Sequence, residues 1–193
     1  MTPVATVLDT TVLSNYARSE STEWLLQTVP LPVTVPAVIN EVERGIADGY
    51  EFMKAIDEYT IAVSAIPSES RETLAVITLG SEASTLAERL TTRLDAGEAH
   101  ALALAIPDEM LATDDQAART AANDDGIDVT GSLGILADGV SQQACSVATA
   151  NTWLQTWEDA GYHAPVESIE ELLPRLKTRA SHPVLVGQVN PER

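Results

Sequence analysis

The chain alternates between short runs of apolar, often β-branched residues and longer segments in which apolar residues recur every three or four positions. The short runs predict five strands, at Val4–Leu8, Val33–Val35, Thr60–Ile66, Met110–Thr113 and Ile127–Val129. The longer segments predict helices at Thr10–Arg18, Ser21–Thr28, Pro36–Ile46, Glu51–Glu58, Ser68–Thr78, Glu82–Thr91, Glu98–Ile106, Gln116–Asn123, Gly131–Gly139 and Ser168–Lys177. Such alternation is typical of a mostly parallel sheet with helices on both faces, a three-layer α/β/α fold.

The region after residue 140 carries two tryptophans, Trp153 and Trp157, one helical turn apart. We expect them to pack against the body of the protein; a surface for a second copy or a partner is the alternative. The sequence therefore predicts an α/β domain over 1–140 and a C-terminal helical extension packed on it over 141–180. A flexible tail is expected over 181–193.

The charge balance is strongly acidic, with 29 Asp and Glu against 11 Lys and Arg and a net charge of −18. At low salt such a surface repels polyanions, which argues against a nucleic-acid-binding protein. The alternative is adaptation to molar salt, where the screening length falls to about 3 Å and repulsion between surface carboxylates largely disappears. Only two lysines, Lys54 and Lys177, accompany the many acids, as is typical of proteins from halophilic archaea. On this interpretation the overall charge reports the solvent and says little about the substrate.

Cysteine content and hydropathy indicate the compartment. The single cysteine, Cys145, cannot form an intramolecular disulfide, which is consistent with a reducing cytoplasm. The longest apolar run, Ala101–Ile106, is too short to cross a bilayer. We therefore expect a cytoplasmic protein without a membrane partner.

Acidic residues follow or face the ends of the predicted strands. Asp9 follows the first strand, Asp114 and Asp115 follow the strand Met110–Thr113, Glu41 lies in the helix after the second strand, and Glu98 opens the next long helix. If the strands are parallel, these groups converge at the carboxyl edge of the sheet, where α/β proteins bind ligands.

Several carboxylates in one small pocket must either become protonated or hold cations. An all-oxygen ligand set suits Mg²⁺ or Mn²⁺ better than zinc, and such an ion can support phosphodiester hydrolysis. Each acid also has a purely structural explanation. Asp9 and Asp115 can cap helices, Glu98 can favour a helix start, and Glu41 can be a partly exposed helix residue.

Five stretches, in order, resemble the motifs of PIN-domain nucleases, the family that includes VapC-type toxins. They are Val7–Ser14, Pro36–Val42, Leu94–Ala105, Leu111–Arg119 and Ile127–Leu136, and the resemblance runs from Val4 to Leu173. In the third, Gly97 and Glu98 precede an alanine-rich helix, which is similar to one branch of the family.

The resemblance implies Mg²⁺- or Mn²⁺-dependent cleavage of RNA at a carboxylate site. Asp9, Glu41 and Glu98 would be ligands, and Asp114 or Asp115 would complete the set. Thr10, Thr11 or Thr113 would orient water or the scissile phosphate, although Thr10 can equally be a helix cap. Asp95, His100 and Arg119 would be peripheral or structural. The family also suggests a homodimer and, for a toxin, an antitoxin protein as partner.

Two features depart from the family pattern, and two other functions compete. Residues 51–91 are longer and more acidic than the helical clamp of a compact toxin, and the extension after Asn151 is additional. Asp9 could instead be a phosphatase nucleophile, but Thr11 stands where such enzymes carry a second acid, and neither lysine lies in a fitting motif. The last alternative is a catalytically silent scaffold that acts through protein contacts.

Overall fold

The computed structural model describes residues 4–69, 72–106 and 109–173, and within these ranges six strands form one sheet. The strands are β1 (Thr6–Leu8), β2 (Pro32–Thr34), β3 (Thr60–Val63), β4 (Leu74–Ile77), β5 (Met110–Ala112) and β6 (Val129–Thr130). Their spatial order is β3-β4-β2-β1-β5-β6, and every neighbouring pair is parallel. The predicted parallel sheet is confirmed.

Helices connect the strands and cover the sheet. They are α1 (Thr10–Arg18), α2 (Thr22–Thr28), α3 (Pro36–Ala47), α4 (Lys54–Asp57), α5 (Ser81–Leu90), α6 (Ala96–Ala105), α7 (Gln116–Asp124), α8 (Ser132–Ser141) and α9 (Val147–Asp159), with 3₁₀ turns at Glu51–Met53 and Ile169–Glu171. All residues of the central strands β1 and β2 are buried. Strands buried on both faces require helices on both sides of the sheet, which confirms the α/β/α fold.

The strand order reverses beside β1. From β1 the chain moves to β2 on one side and returns later to β5 on the other. A reversal of this kind leaves a crevice at the carboxyl ends of the two strands, where open α/β sheets bind ligands. The residues that directly follow β1 and β5 therefore meet at this crevice.

One predicted element is wrong. The segment Ser68–Thr78 is predicted as helix, but Leu74–Ile77 forms β4, which lies between β2 and β3 and pairs with both; residues 70 and 71 lie outside the described ranges. A run of four apolar residues fits a strand and a buried helix turn equally well. Pairing with two neighbouring strands decides between them, and it gives the sheet six strands instead of five.

Other elements also differ from the sequence prediction. The third strand ends at Val63, the helix predicted over Glu51–Glu58 is a 3₁₀ turn followed by α4, and α9 has no counterpart among the predicted helices. The last strand is Val129–Thr130 rather than Ile127–Val129. The helix predicted over Ser168–Lys177 is, in its described part, a 3₁₀ turn at Ile169–Glu171, and everything from residue 174 onward, including the predicted tail 181–193, lies outside the described residues.

The α9 helix packs on the body of the protein through aromatic side chains. Trp157 is fully buried, meets Tyr16 of α1 edge-on with ring centroids 5.0 Å apart, and donates a hydrogen bond to Ser19. Trp153 lies 5.0 Å from Trp24. The expectation that both tryptophans pack internally is confirmed, whereas the division into a domain and an extension at residue 140 stays a prediction.

Across the described parts of the chain, none of the helices has the length and apolar content needed to cross a bilayer.

Candidate metal centre

Asp9 lies at the crevice between β1 and β5, and its side chain is 1% exposed. It caps α1 by accepting a hydrogen bond from the Thr10 backbone N–H at 2.7 Å. Its other oxygen accepts from the hydroxyls of Thr113, at 2.8 Å, and Thr11, at 3.0 Å. The carboxylate is thus fixed from both strand ends.

The pKa of Asp9 is raised above its ordinary value, mainly because burial disfavours the charged form. Hydrogen bonds from Thr113, Thr10 and Thr11 act in the opposite direction. The nearby charge of Glu41 raises the pKa further, which shows that these two carboxylates interact.

Glu41 extends from α3 towards the start of α6. One oxygen accepts a hydrogen bond from the Gly97 backbone N–H at 2.7 Å, and the other accepts from the hydroxyl of Thr10. A Cβ at position 97 would overlap the Glu41 carboxylate. Glycine therefore lets the helix start approach Glu41 closely enough to hydrogen-bond it.

Glu98 is the third residue of α6 and forms a capping box with Asp95, whose backbone N–H it accepts at 3.2 Å. Burial raises its pKa to about 7, and the charges of Asp115, Asp9 and Asp95 add to this effect. Glu98 thus belongs to the same electrostatic group as Asp9 and Asp115.

Asp114 and Asp115 are adjacent in sequence but have different partners. The oxygens of Asp114 accept from the Ser132 backbone N–H at 2.9 Å, from the Ser132 hydroxyl and from the Asn15 amide at 3.0 Å. One oxygen of Asp115 caps α7 through the Ala118 N–H at 2.8 Å. Asp114 therefore joins α1, β5 and α8, while Asp115 stands beside Glu98.

No basic side chain neutralises this group of acids in the part of the chain that the structure describes. Lys54 pairs with Glu51 on the surface, so this lysine is not a partner for Asp9 as a phosphatase nucleophile. Arg119 lies close by but donates to the backbone carbonyls of Thr113 and Thr130, each at 2.9 Å. Within the described ranges, none of these acids forms an ion pair with a basic side chain.

The model of the PIN-domain family matches residues 5–178. The chain belongs to the PIN-domain family. No curated protein and no solved structure matches it in the corresponding searches. The PIN domain is a nuclease-type fold, and PIN nucleases generally use divalent metal ions.

The donor set of this PIN domain suits a hard divalent cation. Every candidate ligand is a carboxylate oxygen, and one carboxyl, Asp9, is almost fully buried while interacting with two others. Among residues 4–69, 72–106 and 109–173, however, no three Asp, Glu, His or Cys side chains are already arranged as a metal-binding group. A cation would have to draw Asp9, Glu41, Glu98 and Asp115 together, and it would relieve their mutual repulsion.

The structure brings all predicted acids of this PIN domain to one edge of the sheet. Asp114 differs from the others because its oxygens accept hydrogen bonds from Asn15 and Ser132. The hydroxyls of Thr10, Thr11 and Thr113 each donate to Glu41 or Asp9. His100 lies within α6 with its side chain half-buried.

Sequence reasoning missed three residues that fix the acids: Asn15, Gly97 as a contact of Glu41, and Ser132. Gly97 and Ser132 each lie in the first turn of a helix, where backbone N–H groups have no acceptor within the helix. Their positions in the sequence could therefore have indicated that they donate to nearby carboxylates. Asn15 gives no such signal, because only the fold brings it to Asp114.

Proposed function

We propose that this PIN-domain protein is a Mg²⁺- or Mn²⁺-dependent endoribonuclease. One observation carries the proposal. Asp9, buried at the crevice between β1 and β5, interacts electrostatically with Glu41 and Glu98, and no basic side chain of the described ranges pairs with them. A buried carboxylate next to like charges is costly unless it is protonated or a cation compensates it.

In this proposal Asp9, Glu41, Glu98 and Asp115 hold the ion, and Asp114 positions the strand end without binding it. The bound ion would supply charge stabilisation at the phosphodiester and activation of the attacking water. Thr113 and Thr11 hold the Asp9 carboxylate in one orientation, and Thr10 does the same for Glu41. An additional role of these hydroxyls in orienting water or phosphate stays a prediction.

RNA as the substrate is supported by the family and is compatible with the acidic surface. The ion would meet the phosphate charge locally, and molar salt would screen repulsion over longer distances. The net charge of −18 then hinders binding only at low salt.

The test is cleavage of single-stranded RNA of mixed sequence in molar KCl with Mn²⁺, comparing wild type with Asp9→Asn. We expect the variant to lose more than about 100-fold in cleavage rate, since it removes a charged ligand rather than a supporting contact. Asp128→Asn is the matched control, because it makes the same charge change at an exposed residue beside β6. Equal cleavage by Asp9→Asn and wild type, or a wild type that binds no Mn²⁺, would overturn the proposal and leave the silent scaffold.

We also propose that the protein is a cytoplasmic toxin, controlled by an antitoxin, that acts as a homodimer in a halophilic host. These proposals rest on the family and on composition. Expression of wild type, but not of Asp9→Asn, should arrest growth, and co-expression of the antitoxin should restore it. Sedimentation in molar KCl should give twice the mass of one chain; a monomer mass would contradict the dimer.

A further inference from the structure

A cavity of about 390 Å³ is lined by Asp114 and Asp115 and is separate from the pocket that Glu98 lines. Helix α1 forms one wall through Ser14, Asn15 and Arg18, and the end of α9 forms the other through Trp157 and Tyr162. The α9 helix lies beyond the five motif stretches, so the cavity joins the carboxylate edge to a part of the chain that the metal site does not use.

The α1 wall offers hydrogen-bonding groups that the described residues leave unused. The Ser14 hydroxyl has no hydrogen-bond partner in the described ranges, and its side chain is half-buried. The Asn15 amide N–H₂ is occupied by Asp114 and Ser132, which leaves its carbonyl oxygen as an acceptor. The Arg18 guanidinium lies over the Phe52 ring, 4.1 Å from its centroid, and forms no ion pair within the described ranges.

Opposite α1 the cavity is lined by the end of α9 and the residues after it, where Trp157 is fully buried and Tyr162 is half-buried. Trp157 and Tyr162 meet edge-on, with ring centroids 5.9 Å apart. The chain reverses between them at Gly161, whose φ of +97° is a conformation that side chains disfavour, and the Tyr162 N–H donates to the Trp157 carbonyl at 2.9 Å. This tight turn places an aromatic side chain against the cavity.

A half-buried tyrosine ring opposite a free hydroxyl and an amide acceptor fits a nucleobase, which has an aromatic face and a hydrogen-bonding edge. An uncharged base also avoids the repulsion that a phosphate would meet at Asp114 and Asp115. We propose that this cavity binds the base of the RNA nucleotide next to the bond that is cut, and so sets the base preference of cleavage. The inference rests on the proposed ribonuclease function, since it assigns the scissile phosphate to the adjoining carboxylate edge.

The test uses uncharged nucleosides, because they need neither metal nor cleavage. Adenosine, guanosine, cytidine and uridine are titrated separately into the metal-free protein in molar KCl, and tryptophan fluorescence is followed. We expect a saturable change with at least one nucleoside, since Trp157 lines the cavity. Ser14→Leu, which fills the cavity from α1, should weaken this binding at least tenfold.

Two further variants make the result decisive. Ala160→Leu narrows the cavity from an exposed position at the end of α9, so it tests the proposal even if Ser14→Leu fails to fold. Ala83→Leu is the matched control, because it makes a similar change in a separate cavity of about 610 Å³ between α5 and α6. It should bind nucleosides like wild type.

Failure of this inference can be told apart from failure of the ribonuclease proposal. If no nucleoside gives a saturable change, or if the cavity variants bind as wild type does, the base site is overturned even when RNA is cleaved. If nucleosides bind as expected but RNA is not cleaved, nucleobase binding in the cavity stands, while the ribonuclease activity and the assignment of the base to a cut bond both fail. On a randomised RNA pool, cavity variants of an active enzyme should lose the base preference at the cut; an unchanged preference would also overturn the inference.

Discussion

Two carboxylates of this PIN domain, Glu41 and Asp114, lie on opposite sides of Asp9 and are held by the same kinds of hydrogen bond. Each accepts one backbone N–H from a helix start and one side-chain hydroxyl. Each also contacts a glycine, Gly97 or Gly131, at which a Cβ would overlap the carboxylate.

Their surroundings differ. Glu41 adds its charge to that of buried Asp9, and its two oxygens accept one hydrogen bond each. Asp114 gains a third donor, the Asn15 amide, and so joins α1 to α8. Glu41 therefore keeps lone pairs that are free to bind a cation, and it lies next to the like charge of Asp9. Asp114 uses more of its lone pairs in hydrogen bonds that connect α1 to α8. We infer that cation binding lies on the Glu41 side.

The largest expected contrast is between the isosteric variants Asp115→Asn and Asp114→Asn. Asp115→Asn keeps the cap of α7, because Asn caps as well as Asp, but should weaken Mn²⁺ binding by more than about 10-fold through loss of a ligand charge. Asp114→Asn should keep Mn²⁺ binding and lose about 1–3 kcal/mol of unfolding free energy, because its amide N–H₂ faces donors.

Calorimetric Mn²⁺ titration and denaturant unfolding of both proteins check this contrast. The reverse result, with Mn²⁺ binding lost in Asp114→Asn and kept in Asp115→Asn, would place the fourth ligand at Asp114 and reverse the comparison.

Replacing Gly97 or Gly131 by alanine should again distinguish the surroundings of Glu41 from those of Asp114, with smaller changes in Mn²⁺ binding and stability. At Gly97 the overlapping atoms are the flexible end of Glu41, so Gly97→Ala displaces that carboxylate and should weaken Mn²⁺ binding by about 10-fold. The unfolding free energy should change little, because the higher helix propensity of alanine offsets the hydrogen bonds that Glu41 loses. At Gly131 the Thr113 backbone carbonyl, 3.2 Å from the added Cβ, stands in the way as well. Gly131→Ala should therefore cost about 1–3 kcal/mol of unfolding free energy and spare Mn²⁺ binding.

The same two measurements apply to this pair. Equal losses of stability in both glycine variants would show that Glu41 is held as rigidly as Asp114, and that the two carboxylates do not differ in this respect.

The smallest expected effect is the pH dependence of the metal-free protein. The pKa of Glu98 is raised from 4.5 to about 7, so between these values the folded chain binds more protons at this site than the unfolded chain does. The unfolding free energy should therefore fall as the pH rises through this window.

Glu98→Gln should flatten this part of the curve, and glutamine at this position can still complete the capping box. Unfolding midpoints of both proteins, measured without metal below pH 4.5 and above pH 7, isolate Glu98 because all other acids are shared. Parallel curves for the two proteins would contradict the raised pKa.

The apolar pattern predicted most of the fold because each long amphipathic segment has its own helical period. It failed at Leu74–Ile77, where four apolar residues carry no period that distinguishes a strand from a helix. Pairing with β2 and β3 supplies that information, and neither partner is directly adjacent to β4 in sequence.

The candidate acids could be named from the sequence because strand ends and helix starts are local features. What each acid does could not be separated there. Asp114 and Asp115 look equivalent in sequence, and their difference depends on Asn15 and Ser132, which only the fold brings to Asp114.

The sequence by itself determined the parallel α/β fold, the family and the set of acids, since periodicity, strand ends and motifs are written along the chain. Only the tertiary structure decided which acids share a charge environment, which one is a cross-link, and where α9 meets the carboxylate edge. Burial and electrostatic coupling are set by distances between residues far apart in sequence, and no local pattern encodes those distances.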